Sequence, residues 1–268
     1  MPDHHALHEA SPDSQSNDRQ FATTLARGLN ILRCFTPDEP TLANGELAAL
    51  TGLSKATISR FTYTLTMLGY LKLEPRTRRY RLGSAVLSLG YPMLATIGAR
   101  QAARPLMSDL ADYAQGSVSL GIRDRLDIVY IETSRSRFVF SSRMADIGMS
   151  HPIIASAIGR AYLCACTPEE QRALLNEIRV KTPEQWARHA HAAQQSLASF
   201  AELRFCVSYG DLRRETHAVA VPLRRSSNAE IVVVNCVVQS FQMKPGQLVG
   251  DLGPRLAAMA RTLEYGST

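Results

Sequence analysis

The chain has 268 residues, 45% of them hydrophobic and 20% charged, with a formal net charge of +6 and a sequence pI near 9.2. That length can bury one large core or two smaller ones, and the composition is that of an ordinary globular protein. No apolar run is long enough to cross a bilayer as a helix, and positive charge points to a polyanionic partner only where it is concentrated.

The first segment, residues 1–20, reads as a disordered tail. "MPDHHALHEASPDSQSND" is polar, lacks large apolar residues, and has no basic start followed by an apolar run, so no secretory signal is expected. His4, His5 and His8 read as part of a solvated tail rather than a metal site. The five cysteines, Cys34, Cys164, Cys166, Cys206 and Cys236, sit in apolar stretches without a C-x-x-C pair, which fits free thiols in a reducing cytoplasm. No metal and no cofactor is expected.

Residues 21–83 read as a winged helix-turn-helix. "TTLARGLNILRCF" spaces Leu25, Leu29, Leu32 and Phe35 as one helical face, with Thr23 or Thr24 as cap. "NGELAALTG" predicts a short second helix capped by Asn44 and closed by Gly52. Ser54 then caps a third helix that ends at Gly69. "YLKLE" and "RYRLG" alternate on either side of a turn at Pro75–Arg79, the pattern of a hairpin. The connection Gly52-Leu53-Ser54 suits the tight turn between the second and third helices.

On the third helix Ile58, Phe61, Leu65 and Leu68 share the face that should pack inward. Lys55, Ala56, Ser59, Arg60 and Tyr63 fall opposite, with Ser54 and Thr57 at the start. A merely solvated face would carry acids among its bases, and no acid occurs from Ser54 to Leu71. Small, hydroxylated and cationic side chains suit entry into the major groove of double-stranded DNA. Arg76, Arg78, Arg79 and Arg81 cluster on the hairpin, suited to phosphate or minor-groove contact. From Phe21 to Gly83 there are nine basic residues against four acids.

Residues 84–98 read as a linker helix, continued by a second helical piece to about Tyr113, with Pro92 expected to kink or break the first. Residues 99–268 then mix strands and helices. "SVSLGIR", "LDIVYIE", "RFVFSSR", "RFCVSYG", "THAVAVPLR" and "EIVVVNCVVQ" predict strands. Helices are expected after Pro152, at Thr167-Pro168 and Thr182-Pro183 with Pro at the first position, and over "GQLVGDLGPRLAAMARTLEY" with a bend at Pro254. The class is α+β, a sheet covered by helices.

An enzyme is the competing class: Ser156 or Cys236 as nucleophile with His217 or His151 as base. No G-x-S-x-G, H-E-x-x-H or Gly-rich phosphate loop supports it. Cys206, Cys236 and His217 form no spacing that demands a metal. Asn235 interrupts the apolar "IVVVNCVV" and, if buried, needs a partner in the backbone or in a ligand.

The sequence "LARGLNILRCF…LANGELAALTGLSKATISRFTYTLTMLGYLKLEPRTRRYRLGSAVLSLG" resembles the N-terminal half of the IclR family of bacterial transcription regulators. "GMSHPIIASAIGRAYLCA" is similar to that family's G-x-x-x-P-x-x-x-S-A-x-G-K-A-x-L segment, with Arg160 where Lys is usual. The resemblance covers about residues 21–265. It implies a GAF-like effector-binding C-terminal domain, a homodimer or dimer of dimers, and binding of operator DNA modulated by a small, often acidic, organic effector, whose body the apolar neighbours Phe140, Ile158 and Val237 would suit as aromatic or aliphatic. It places Ala157 and Ile158 at the helix start facing that ligand, Phe140 and Arg143 on a lining strand, Ser208 on the next wall, and Ala218, Asn235 and Val237 on the last two strands. Relatives often carry an acid where this chain has Ser208, and Cys or Ser on the last two strands.

Overall fold

The computed structural model describes residues 20–97, 99–137, 145–223 and 230–265. The expected tail and most of the "RFVFSSR" strand lie outside those residues. The chain forms two compact units that divide between Thr96 and Ile97.

The first unit contains α1 (Thr23–Arg33), α2 (Asn44–Thr51), α3 (Lys55–Met67), β1 (Leu71–Glu74), β2 (Arg79–Leu82) and α4 (Ser84–Thr96). β1 and β2 pair antiparallel from Leu71 opposite Leu82 to Glu74 opposite Arg79, and Leu42 bridges to Tyr80 as a third short contact. Ile31, Phe35, Leu42, Leu47, Ile58, Leu65 and Leu71 make its core. Gly52, at φ 69°, and Gly69, at φ 79°, take the left-handed conformation that ends a helix.

Several local expectations need correction. Ala22 and Ala43, not Thr23 or Asn44, precede α1 and α2, and neither caps with a side chain. Asn44 instead spans α2 and α3: its Nδ2 donates to Ser59 Oγ at 3.2 Å and its Oδ1 accepts from Thr62 Oγ1 at 3.3 Å. On α1, Gly28 and Ile31 face inward while Leu25 and Leu29 are exposed. Leu68 follows the end of α3 and is exposed, and buried Thr62 takes an inward position, its hydroxyl donating to Ile58 O at 2.9 Å. Pro92 stays inside α4, and the helical break comes after Thr96.

The second unit contains α5 (Ala99–Ala114), β3 (Ser117–Asp124), β4 (Asp127–Arg135), β5 (Ser150–Pro152), α6 (Ala157–Ala165), α7 (Pro168–Lys181), α8 (Pro183–Leu203), β6 (Cys206–Tyr209), β7 (Thr216–Pro222), β8 (Val232–Gln239) and α9 (Gly253–Tyr265). The strands form one antiparallel sheet ordered β5-β4-β3-β8-β7-β6. α6 and α8 pack on it from one side, α5 and α9 from the other. This explains why "VVVNCVVQ" is apolar on both faces: a sheet covered twice leaves β8 no wet side.

α7 starts as expected, with Pro168 first and a reciprocal cap in which Thr167 Oγ1 accepts from Glu170 N–H at 3.2 Å and Glu170 Oε2 from Thr167 N–H at 2.9 Å. The helix expected straight after Pro152 is delayed to Ala157 by a turn whose Ser156 caps it. The last helix is preceded by a wider, π-helical turn over Leu248–Leu252, so its irregularity lies before Pro254.

Candidate functional site

Two regions carry polar groups that the fold leaves unused. The first is the outer face of α3 with the hairpin. Ser54 seats the helix: its Oγ accepts from Thr57 N–H at 3.2 Å and lies 2.9 Å from the Thr57 hydroxyl. With Ile58, Thr62 and Leu65 buried, helical geometry turns Lys55, Ala56, Ser59, Arg60 and Tyr63 outward, and all five are exposed. Arg76 and Arg78 are exposed at the hairpin turn, where Arg78 holds a left-handed φ of 53° and donates its N–H to Glu74 O at 2.8 Å. Among the described residues, Lys55, Arg60, Arg76 and Arg78 have no ion-pair partner.

Arg79 differs. Its Nε donates to Thr41 Oγ1 at 3.1 Å, one terminal nitrogen donates to Thr41 O at 2.8 Å, and the same nitrogen lies 2.8 Å from Glu46. Glu46 also accepts from Ala43 N–H at 2.7 Å; that bond first, then Arg79, holds its carboxyl below the usual range. The guanidinium expected on DNA therefore ties β2 to the start of α2.

The second region is a cavity of about 100 Å³ in the second unit. Ala157, Ser208, Ala218, Asn235 and Val237 all line it. The register explains the convergence: Ala218 lies opposite Val237, Ala220 opposite Asn235, and Ser208 opposite Ala218. The Ile158 side chain is buried in the core and is not among the cavity's walls, which leaves only its backbone N–H at the start of α6 to meet a ligand. Phe140 and Arg143 lie outside the described residues.

Tyr130 and Arg213 also line this cavity without a signal in the sequence, and His151, considered there only as an enzyme's base, lines it with them. Tyr130 and His151 pack with ring centroids 4.7 Å apart at 60°. Asn235, 3% exposed, donates from Nδ2 to Tyr130 Oη at 2.7 Å, while its Oδ1 has no hydrogen-bond partner among the described residues. Burial pushes the Tyr130 phenol up to about 12, against the opposing pull of the Asn235 hydrogen bond and the Arg213 charge, so it stays protonated. Arg213 has no ion-pair partner among the described residues.

At the α6 end, Ser156 Oγ accepts from Gly159 N–H at 3.2 Å and donates to Pro152 O at 2.8 Å. The N–H groups of Ala157 and Ile158 have no acceptor among the described residues. Arg160, 1% exposed, pairs with Asp211 at 2.7 Å, and Asp211 N–H donates to Ser208 Oγ at 3.3 Å, so the loop bearing Arg213 is fixed against α6.

The nucleophile candidates fail on chemistry. The Ser156 hydroxyl is committed to the cap. Cys236 is wholly buried and its thiol is pushed up to about 12, which leaves no thiolate. The Cys206 and Cys236 side chains sit on opposite faces of the sheet; Cys206 instead touches Cys164, with sulfurs 3.7 Å apart. Among the described residues no group of three His, Cys, Asp or Glu is placed to hold a metal.

Comparison with known proteins decides the family. Residues 24–75 match the IclR helix-turn-helix domain, and residues 92–265 match the bacterial transcriptional regulator IclR C-terminal domain. The chain belongs to the IclR family of bacterial transcriptional regulators. It is 31% identical to the HTH-type transcriptional regulator TsaQ1/TsaQ2 of Comamonas testosteroni, over 97% of this chain and 94% of the relative. It is 25% identical to the Pca regulon regulatory protein of Pseudomonas putida, over 92% of this chain and 85% of the relative. A solved IclR family regulator from Brucella abortus superposes with a TM-score of 0.83 at 39% identity, covering 99% of each chain. As an IclR-family protein the chain is a DNA-binding transcriptional regulator and not an enzyme, and none of its described helices is long and apolar enough to cross a membrane.

Proposed function

We propose that this regulator binds a specific operator through α3 and the hairpin, and that a small organic anion held in the second unit's cavity changes its operator affinity. Lys55, Ala56, Ser59, Arg60 and Tyr63 face the major groove, with Ser54 and Thr57 setting the angle of the helix start. Arg76 and Arg78 contact backbone phosphate. Residues 21–83 act as the DNA-binding domain, 84–98 as the linker and 99–268 as the effector domain. The protein works in the cytoplasm as a homodimer or dimer of dimers.

The observation that carries the effector assignment is Arg213, without an ion-pair partner among the described residues, on a cavity that also meets the start of α6. A guanidinium can grip a carboxylate with two parallel hydrogen bonds, and free N–H groups at a helix start favour negative charge. Met149, Leu212, Ala218 and Val237 offer apolar walls, and the Tyr130 and His151 rings suit an aromatic body. Ser208, in place of an acid, adds no repulsion.

A thermal-shift screen of small organic and aromatic acids identifies an effector, since binding to the native state raises the melting temperature. Titrating the best acid into free protein and into the operator complex should give affinities that differ by the same factor by which the acid changes operator affinity. Arg213→Ala should weaken the acid roughly tenfold or more, as expected for a charged hydrogen bond of about 1.5–3 kcal/mol, and leave apo operator binding intact. Unchanged acid affinity in Arg213→Ala would place the anion elsewhere.

A further inference from the structure

Two of the five cysteines touch. Cys164 near the end of α6 and Cys206 at the start of β6, 42 positions apart in the chain, hold their sulfurs 3.7 Å from each other, within reach of an S–H···S hydrogen bond. Cys164 is partly exposed and Cys206 is 1% exposed. The other three stand apart: Cys34 lies in the core of the first unit, Cys236 faces the opposite side of the sheet from Cys206, and Cys166 donates to Tyr162 O at 3.4 Å.

The setting is electropositive. Arg160 stands one turn before Cys164, so the two side chains leave α6 on the same face. Its guanidinium is buried and reaches Val207 O at 3.4 Å, beside Cys206. One terminal nitrogen pairs with Asp211, and the other has no hydrogen-bond partner among the described residues. A buried cation beside thiols favours the thiolate, which is the form that attacks. The hydrogen bond to Cys164, and then burial, push the Cys206 thiol well up against the pull of Arg160, so Cys206 keeps its proton until a neighbour takes it. The partly exposed sulfur can therefore meet an oxidant first, and the buried one can answer it.

We propose that Cys164 and Cys206 form a redox site that a hydroperoxide converts to an intrachain disulfide, a chemical input to the second unit separate from the anion. The Cys164 thiolate attacks one peroxide oxygen. The O–O bond breaks, the other oxygen leaves and takes up the proton that Cys164 lost, and Cys164 becomes a sulfenic acid. The Cys206 sulfur then attacks the Cys164 sulfur, the S–O bond breaks, and hydroxide departs as water with the Cys206 proton. In sum, two thiols give up two protons and two electrons, and hydrogen peroxide is reduced to two waters. To bond, the sulfurs must close by roughly 1.7 Å from 3.7 Å. Both elements so joined reach the cavity, α6 through Ala157 and β6 through Ser208. In a reducing compartment such a bond lasts only while the oxidant does, which suits a signal rather than a structural staple.

The test exposes reduced full-length protein to a small excess of hydrogen peroxide, counts free thiols in denaturant, and maps the products by mass spectrometry without reduction. The count should fall from five to three, with one cross-linked peptide pair holding Cys164 and Cys206, and dithiothreitol should restore all five. Cys166→Ser should close the bond as wild type does. In Cys206→Ala, Cys164 should stop at the sulfenic acid, which dimedone traps. In Cys164→Ser, Cys206 should stay a thiol at the dose that closes the wild-type pair. Oxidation of Cys166 ahead of the pair, a bond between Cys164 and Cys166, or a sulfinic acid on Cys164 with Cys206 still free overturns the inference. So does survival of all five thiols at a dose that oxidises glutathione added as a reference. None of these outcomes touches the anion-site reading, which the acid titrations judge separately.

Discussion

Arg76, Arg78, Arg79 and Arg81 lie within six residues and share one charge, yet their neighbours give them different work. Arg78 is exposed at the hairpin turn without an ion-pair partner among the described residues, whereas Arg79 is spent on Thr41 and Glu46. Charge alone cannot separate them, because the difference is set by the register that puts Arg79 opposite Glu74 and beside the loop before α2. Arg78→Ala should weaken operator and scrambled duplex alike and make the salt slope shallower by about one, without a change in melting temperature. Arg79→Ala should lower stability by about 1 kcal/mol or less, since the ion pair is half exposed, and should change the salt slope little. Glu46 is held low in the folded state, so the stability it contributes is present above its unfolded pKa and is lost as pH falls through the folded one; the penalty of Arg79→Ala should therefore fade in acid. Arg60→Ala should cost about 1–3 kcal/mol on operator and less on scrambled DNA, which affinity measured on both duplexes checks. Equal losses for Arg60→Ala would reduce Arg60 to a phosphate contact.

At the scale of elements, much of what depends on local pattern was legible, although the caps of α1 and α2 were not. The α3 cap at Ser54, the Gly52 turn, the helix start at Pro168 and the three C-terminal strands follow from neighbouring residues and appear where they were expected. Three errors came from reading apolar spacing as burial: Leu25 and Leu29 on α1 and Leu68 after α3 face outward, while Gly28, Ile31 and Thr62 pack within. The cavity was half legible. Ala157, Ser208, Ala218, Asn235 and Val237 came from family resemblance or, for Asn235, from a polar break in an apolar strand. Tyr130, His151 and Arg213 did not, because they come from β4, β5 and the β6–β7 loop and meet only through the strand order. Tyr130 looks like an ordinary strand aromatic until β3 places it two strands from Asn235. Gly159 is a further element-scale constraint. A Cβ there would collide with the backbone of Ile153, because α6 passes directly over the turn that follows β5. Gly159→Ala should therefore lift the start of α6, lower stability by about 2–4 kcal/mol in chemical denaturation, and abolish the thermal shift from the acid. A variant as stable as wild type would show that this approach is not tight.

At the scale of the whole molecule, the exposed apolar surface of the first unit calls for a partner. On α4, Leu87 is 76% exposed, Leu89 60%, Tyr91 70% and Met93 47%, while Val86 and Leu94 are half-buried. Leu25 and Leu29 of α1 add to the exposed apolar residues of the unit. Single exposed leucines are ordinary, but four large side chains within seven residues of one helix are a concentration that a monomer in water does not favour. A second copy of the chain is the economical partner for a DNA reader. One α3 and one hairpin give few contacts, and pairing doubles them while fixing the spacing of two half-sites. Sedimentation at micromolar concentration should therefore give a multiple of the 29.5 kDa chain mass. The double variant Leu87→Glu with Leu89→Glu should shift the protein toward the monomer with its circular dichroism unchanged. Its operator affinity should then fall by orders of magnitude, and half-saturation should depend steeply on protein concentration, since dimerisation now has to be driven by DNA. A wild-type protein that sediments only at 29.5 kDa, with and without operator, would mean that the α4 surface serves something other than pairing and that one module reads the operator alone.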